Sequence, residues 1–424
     1  MRKQSFGFKE LELFKKKALK WASKYKYCAY LDSNEYTNYP HIGNELIIGV
    51  ANKSTWDQND KNQFNQLENY IKKTKSWVFG HLSYDLKNEI EEKLHSKNKD
   101  PIKVPLMYFF TAEIRIQIKI NENICFIEAL SPESVFRNIQ EQEAQTKEKQ
   151  KTELHEQIEK SSYIDRVKHL KNHLIKGDLY EINFCKALNG NDKNFNPLEI
   201  FERLNKKQKS PFSAYYKIDD IYCLCSSPER FLKKEGCTLI SQPIKGTLKR
   251  ESNKNIEKKA INAFKNNRKE KAENNMVVDL VRNDMYKTAL SGSVKIEELR
   301  GIYSFPTLHQ CISTITCKIQ KEDSVKALKN CFPMASMTGM PKYKALELIE
   351  KFESQKRGLF SGSIGYITPD KDFDFNVVIR SILYNKGNGN ISLQSGGAIT
   401  HLSKPDDEYE EAQLKLKSLV EAIS

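Results

Sequence analysis

Four short stretches of this chain carry side chains able to do acid, base or nucleophile chemistry. Glu229 follows Ser226-Ser227-Pro228 at the end of the apolar run Ile221–Cys225. A carboxyl at a strand end in low dielectric has a raised pKa and suits a general acid, whereas the same residue in a polar turn does nothing. Lys245 lies in Gln242-Pro243-Ile244-Lys245-Gly246-Thr247. A desolvated lysine has a lowered pKa and offers a neutral amine; a strand lysine facing water does not. Glu273 sits in Lys271-Ala272-Glu273-Asn274-Asn275-Met276-Val277, on or beside an apolar stripe read at 272, 276, 277, 280 and 281. A buried carboxylate there needs a cation or a hydrogen-bond partner. Glu411 precedes Lys415 by four residues, the spacing of an ordinary helical ion pair. Glutamates from separate helices also suit a hard cation such as magnesium. Thr338-Gly339 and Gly396-Gly397 bring backbone N–H groups within reach of an anion, although glycine in a turn is expected anyway.

These residues need a scaffold. A long polar helix is expected over roughly 254–288, and a helix over Tyr163–Ile175. Strands are expected around 182–188 and 221–226, and strands and helices alternate through the C-terminal third. Residues 1–135 read as short strands between polar turns; Ile114-Arg115-Ile116-Gln117-Ile118-Lys119-Ile120 has the period of two of a half-buried strand. Residues 136–160 are nearly all polar and mark a boundary as a linker or exposed helix, with 161–424 as the main unit.

The chain has 424 residues, enough for a sizeable core without covalent staples. Its net charge is +14, but the lysines are dispersed, with no basic block interleaved with aromatics and no zinc-finger spacing, so no nucleic-acid partner is expected. Nine irregularly spaced cysteines fit reduced thiols. A charged N-terminus and the lack of a long apolar run point to a cytoplasmic protein that does not enter a membrane.

Taken in order, Gly177-Asp178-Leu179-Tyr180-Glu181-Ile182-Asn183-Phe184, Ser227-Pro228-Glu229-Arg230-Phe231, the Pro-Ile-Lys-Gly-Thr run at Lys245, the Glu273 helix, Ser336-Met337-Thr338-Gly339-Met340-Pro341-Lys342, Phe373–Arg380, Ser395-Gly396-Gly397-Ala398-Ile399 and Asp407-Glu408-Tyr409-Glu410-Glu411-Ala412 resemble the chorismate-utilising enzymes. The resemblance covers about residues 160–424. It implies an α+β fold, with large face-to-face β-sheets, outer helices and a cleft between the sheets. It implies that Glu273 and Glu411 hold Mg2+ and that Arg380, Lys415, Thr338, Gly396 and Gly397 meet the substrate carboxylates, Arg being able to do so bidentately. Glu229 would protonate the departing carbon-4 hydroxyl.

Lys245 chooses among branches. Anthranilate synthases usually carry Ala there; the lysine is similar to the aminodeoxychorismate synthase branch, where it attacks carbon 2 and ammonia then adds at carbon 4. Water-adding members carry a lysine base where this chain has Glu181, which also replaces a usual Gln. A family histidine aligns with Gln310, and His309 just before it is retained as a substrate-side candidate. No clear Leu-Leu-Glu-Ser motif for tryptophan is found. The expected reaction is amination of chorismate, with ammonia from a separate glutamine amidotransferase component II, since no glutaminase Cys-His-Glu module is evident. Anthranilate synthase component I is the alternative.

Overall fold

The computed structural model describes residues 1–37, 39–57, 61–143, 152–305 and 308–424. Among these, the strands assemble into one sheet of twelve and one of nine. The expected α+β arrangement of large antiparallel sheets with outer helices is what the chain adopts.

Alternation decides which face of each strand is buried. Phe79 and Phe110 of the smaller sheet pack against Ala29, Ile47, Ala214, Tyr216 and Cys223 of the larger one, forming the core between the layers, while Phe109 and Phe375 point from the smaller sheet's other face. Each fully buried aromatic or branched side chain contributes roughly 1.5–3 kcal/mol, so this interlayer core, not the polar site, holds the sheets together. The outer face of the larger sheet is covered by the helices Leu11–Ala22, Pro132–Gln140, Pro197–Gln208 and Pro405–Ile423.

N-terminal strands enter both sheets. Tyr27–Asp32 pairs with Phe212–Ile218 in the larger, and Val78–Leu82 pairs with Ser363–Ile367 in the smaller. In the 136–160 stretch, residues 144–151 lie outside the described residues; the helix Pro132–Gln140 precedes them and the short strand Leu154–Glu156 follows. All nine cysteines are free thiols and eight are buried. Among the described residues, no helix is long and apolar enough to cross a membrane.

Two local expectations need correction. The single helix over 254–288 is two, Lys254–Asn266 and Arg268–Tyr286. Asn267 between them is extended (φ −63°, ψ 123°), and its side-chain oxygen accepts the Glu270 N–H at 3.2 Å. Asparagine competes for backbone donors and restarts a helix at such a position. The buried stripe is also rotated. Asn274, Val277, Val278, Val281 and Met285 face inward, while Ala272 is exposed. Buried Asn274 sets the rotation, because its amide is spent on the neighbouring strand.

Candidate active site

Lys245 is aimed by a defect in its strand. Ile244–Lys249 pairs with Leu308–Lys318, and the register shifts between Ile244 and Thr247. Gly246 has φ +90°, and a Cβ there would lie 2.4 Å from Glu270 Oε2 and 2.6 Å from the Phe264 ring. Only glycine fits this bulge, and bulges re-aim neighbouring side chains. Asn274 Nδ2 donates to the Lys245 carbonyl at 2.9 Å, pinning the helix Arg268–Tyr286 to the bulge.

The Lys245 side chain turns inward and is 9% exposed. Its Nζ donates to Glu181 Oε1 at 2.5 Å. Burial pulls the lysine pKa down, but Glu181, with Glu273 and Glu229 further out, outweighs burial and raises it. The resting side chain is an ammonium.

Glu181 opens the strand Glu181–Asn191 and is held from behind. Gly339 and Met340 pair with Ile182 and Glu181, and a Cβ on Gly339 (φ +155°) would lie 2.2 Å from the Glu181 carbonyl. The segment beginning at Thr338 therefore lies flat on the strand end. Thr338 itself is fully buried, its hydroxyl donating to the Met334 and Ala335 carbonyls at 3.3 and 3.2 Å. Behind it, buried Arg357 donates to the Met337 and Asn183 carbonyls at 2.7 and 2.9 Å and pairs with Glu353 at 2.6 Å.

Glu229 occupies the junction between the strands Ile221–Ser227 and Arg230–Glu235. Its carbonyl accepts the Val377 N–H at 3.0 Å, and its side chain is buried. Burial pushes the carboxyl up to about 7, against the opposing pull of the nearby Ser336 hydroxyl, the Ile244 N–H and the Lys245 charge. Near neutral pH such a group is partly protonated and has a proton it can give away.

The remaining groups meet where the C-terminal helix crosses the strand Asn390–Ile399. Ser395 Oγ donates to the Ala412 carbonyl at 2.8 Å, fixing the crossing. Lys415 Nζ donates to the Gly396 carbonyl at 2.7 Å and pairs with Glu411 at 2.7 Å. A Cβ on Gly397 would lie 3.2 Å from Glu408 Oε2 and 3.6 Å from Glu411 Oε1, so both carboxylates border this glycine. Arg380 is held in the left-handed region (φ 52°); burial lowers its pKa and the Glu411 charge opposes that shift. Its guanidinium makes no hydrogen bond among the described residues, which suits it to an incoming carboxylate.

Glu408 and Glu411, on one helix face beside Gly397, are hard oxygen donors of the type magnesium takes, which retains waters and substrate oxygens in its shell. Among the described residues, no group of three or more acidic, His or Cys side chains is assembled tightly enough to cage a metal unaided.

His309 and Gln310 are adjacent on Leu308–Lys318 and so face opposite ways. Both His309 ring nitrogens are engaged, Nδ1 with Ser304 Oγ at 2.8 Å and Nε2 with Glu257 at 3.1 Å. Gln310 is buried, with its Oε1 unpaired. The sequence reading missed Asn274, Glu408 and the Arg357–Glu353 pair. Glu408 was within reach of it, since it lies three residues before Glu411 on the same helix face. The other contacts join residues whose meeting only the fold reveals.

A family model described as "chorismate binding enzyme" matches residues 17–421. Aminodeoxychorismate synthase component 1 of Salmonella typhimurium is 34% identical over 264 residues, 62% of this chain and 57% of that protein. The probable chloroplastic aminodeoxychorismate synthase of Oryza sativa is 35% identical over 272 residues, 63% of this chain and 30% of that protein. The match thus spans about a third to just over half of these relatives. The crystal structure of anthranilate synthase component I from Streptococcus pneumoniae superposes with a TM-score of 0.75 at 20% identity, covering 99% of this chain and 92% of that one. The menaquinone-specific isochorismate synthase of Escherichia coli superposes at 0.77 and 14% identity, covering 100% and 94%.

Proposed function

The chain belongs to the chorismate-binding enzymes, and from that premise we propose that it is an aminodeoxychorismate synthase component I, converting chorismate and ammonia to 4-amino-4-deoxychorismate for 4-aminobenzoate and folate synthesis. The observation that carries this reading is the buried Lys245 amine, set among Glu181, Glu229 and Glu273. Relatives named aminodeoxychorismate synthase support it.

Lys245 attacks carbon 2 of the ring, and Glu229, whose raised pKa keeps part of it protonated near neutral pH, gives its proton to the carbon-4 hydroxyl as it leaves. Arg380 and Lys415 bind the substrate carboxylates, with the Gly396-Gly397 backbone and the Thr338 segment shaping the cradle. His309 takes part only by giving up its bonds to Ser304 and Glu257. Glu273 and Glu411, joined by Glu408, would hold magnesium, which neutralises carboxylate charge when bound. Ammonia comes from a glutamine amidotransferase component II partner.

Purified protein supplied with chorismate, magnesium and ammonium is expected to make aminodeoxychorismate. Formation of anthranilate instead would move the chain to the anthranilate synthase branch.

A further inference from the structure

The amination route has an unassigned proton. Attack on carbon 2 needs a neutral amine, yet the resting Lys245 is an ammonium in a buried ion pair. Glu229 cannot accept that proton, because it must arrive at the hydroxyl already protonated. Glu273 acts on the amine through its charge from further out. Glu181 remains. Its Oε1 is 2.5 Å from the reacting nitrogen, it is 3% exposed, and its Oε2 is buried without a hydrogen-bond partner. The Gly339–Met340 segment packed on its backbone keeps this strand end in place.

We propose that Glu181 is a catalytic residue: it takes the proton from Lys245 to release the amine and returns it when the lysine is expelled. The inference rests on the amination reading. In the first step the ammonium passes one proton to the Glu181 carboxylate. The freed lone pair forms the N–C2 bond, the ring double bonds shift toward carbon 4, and the C4–O bond breaks. The hydroxyl leaves as water with the Glu229 proton. Ammonia then forms the C4–N bond, the double bonds shift back, and the C2–N bond breaks with its electron pair returning to Lys245. Glu229 recovers a proton from the new C4 ammonium, and Lys245 recovers its own from Glu181. The net change is chorismate plus ammonia to aminodeoxychorismate plus water.

Rapid-quench mass spectrometry of the intact protein, with chorismate and magnesium but no ammonia, measures adduct formation at Lys245. Glu181→Gln keeps the shape and loses the base; its adduct rate is expected to fall about 100-fold, the scale of a lost general base, with chorismate affinity by equilibrium dialysis unchanged. Glu181→Asp, which keeps a carboxylate, is expected to recover part of the rate. A wild-type adduct rate in Glu181→Gln overturns the role of Glu181 and leaves the amination reading standing. A fall that merely tracks lost chorismate affinity also overturns it. No adduct in the wild-type protein removes the covalent step itself, and this inference with it.

Discussion

Asn274 donates its side-chain amide to the backbone carbonyl of Lys245 at 2.9 Å, so one hydrogen bond ties the helix bearing Glu273 to the strand bearing the amine. The same amide also donates to the Glu270 carbonyl at 3.0 Å. The bond to the Lys245 carbonyl is buried and the one to Glu270 partly so, and an unpaired buried carbonyl costs roughly 1–3 kcal/mol. Asn274→Ala is therefore expected to lower stability by about that amount in urea unfolding. It is also expected to lower kcat more than it raises KM, because the amine and the Glu273 carboxylate lose their common anchor. A variant that loses stability but keeps wild-type kcat would show the bond to be structural only.

Glu229 gives the pH dependence its direction. The acid role needs the protonated form, and burial sets the carboxyl at about 7. The protonated fraction falls as pH rises through that value, so the rate of the first step is expected to decline on the alkaline side of neutrality. The charged group facing Glu229 is Lys245, itself an ammonium until it reacts. Glu229→Gln should abolish the limb along with most of the activity. Folding responds with the same sign. A raised carboxyl binds an extra proton in the folded state between about pH 4.5 and 7, so its contribution to stability falls as pH rises across that window and stays lost above it. Glu229→Gln is thus expected to be at least as stable as wild type at pH 8, by thermal melting.

Much of this was legible in the residue order. The strand alternation at Ile114–Ile120 and the apolar run ending at Glu229 each encode one element, and the fold honours both. The Lys245 environment was not legible, since its partner Glu181 lies 64 residues away and reverses the direction in which burial alone would move the amine. The break at Asn267 was missed because helical periodicity runs through it; the capping bond to Glu270 overrides the pattern. The rotation of the Glu273 helix follows from Asn274, whose burial makes sense only once its acceptor on another strand is known.

The carboxylates beside Gly397 make the metal assignment separable from folding. Glu411 is exposed and paired with half-buried Lys415, and Glu408 lies one turn earlier. Replacing Glu411 by Gln leaves the helix intact and removes one anionic oxygen. The magnesium concentration for half-maximal activity is expected to rise roughly tenfold or more, since even substitutions outside the metal shell cost that much. Glu408→Gln is expected to shift the same titration. A titration unmoved by either change would take magnesium away from this helix.

Arg357 and Glu353 offer the sharpest separation of stability from function. They form a buried i,i+4 pair, and Arg357 also holds the carbonyls of Met337 and Asn183, one on the Thr338 segment and one on the Glu181 strand. Glu353 in turn accepts the Cys185 N–H at 2.9 Å. Removing one partner of a buried pair strands the other charge, at roughly 3–5 kcal/mol, whereas replacing both with neutral side chains of similar size is often close to neutral. Glu353→Gln alone is therefore expected to destabilise strongly, and Glu353→Gln with Arg357→Met to recover much of that loss in urea unfolding. Activity should not recover in parallel. A thioether donates to neither carbonyl, so the Thr338 segment is released from the strand that places Glu181 against Lys245. A double variant with restored stability and wild-type kcat would show that packing alone, without the guanidinium, suffices to hold the two walls of the site in register.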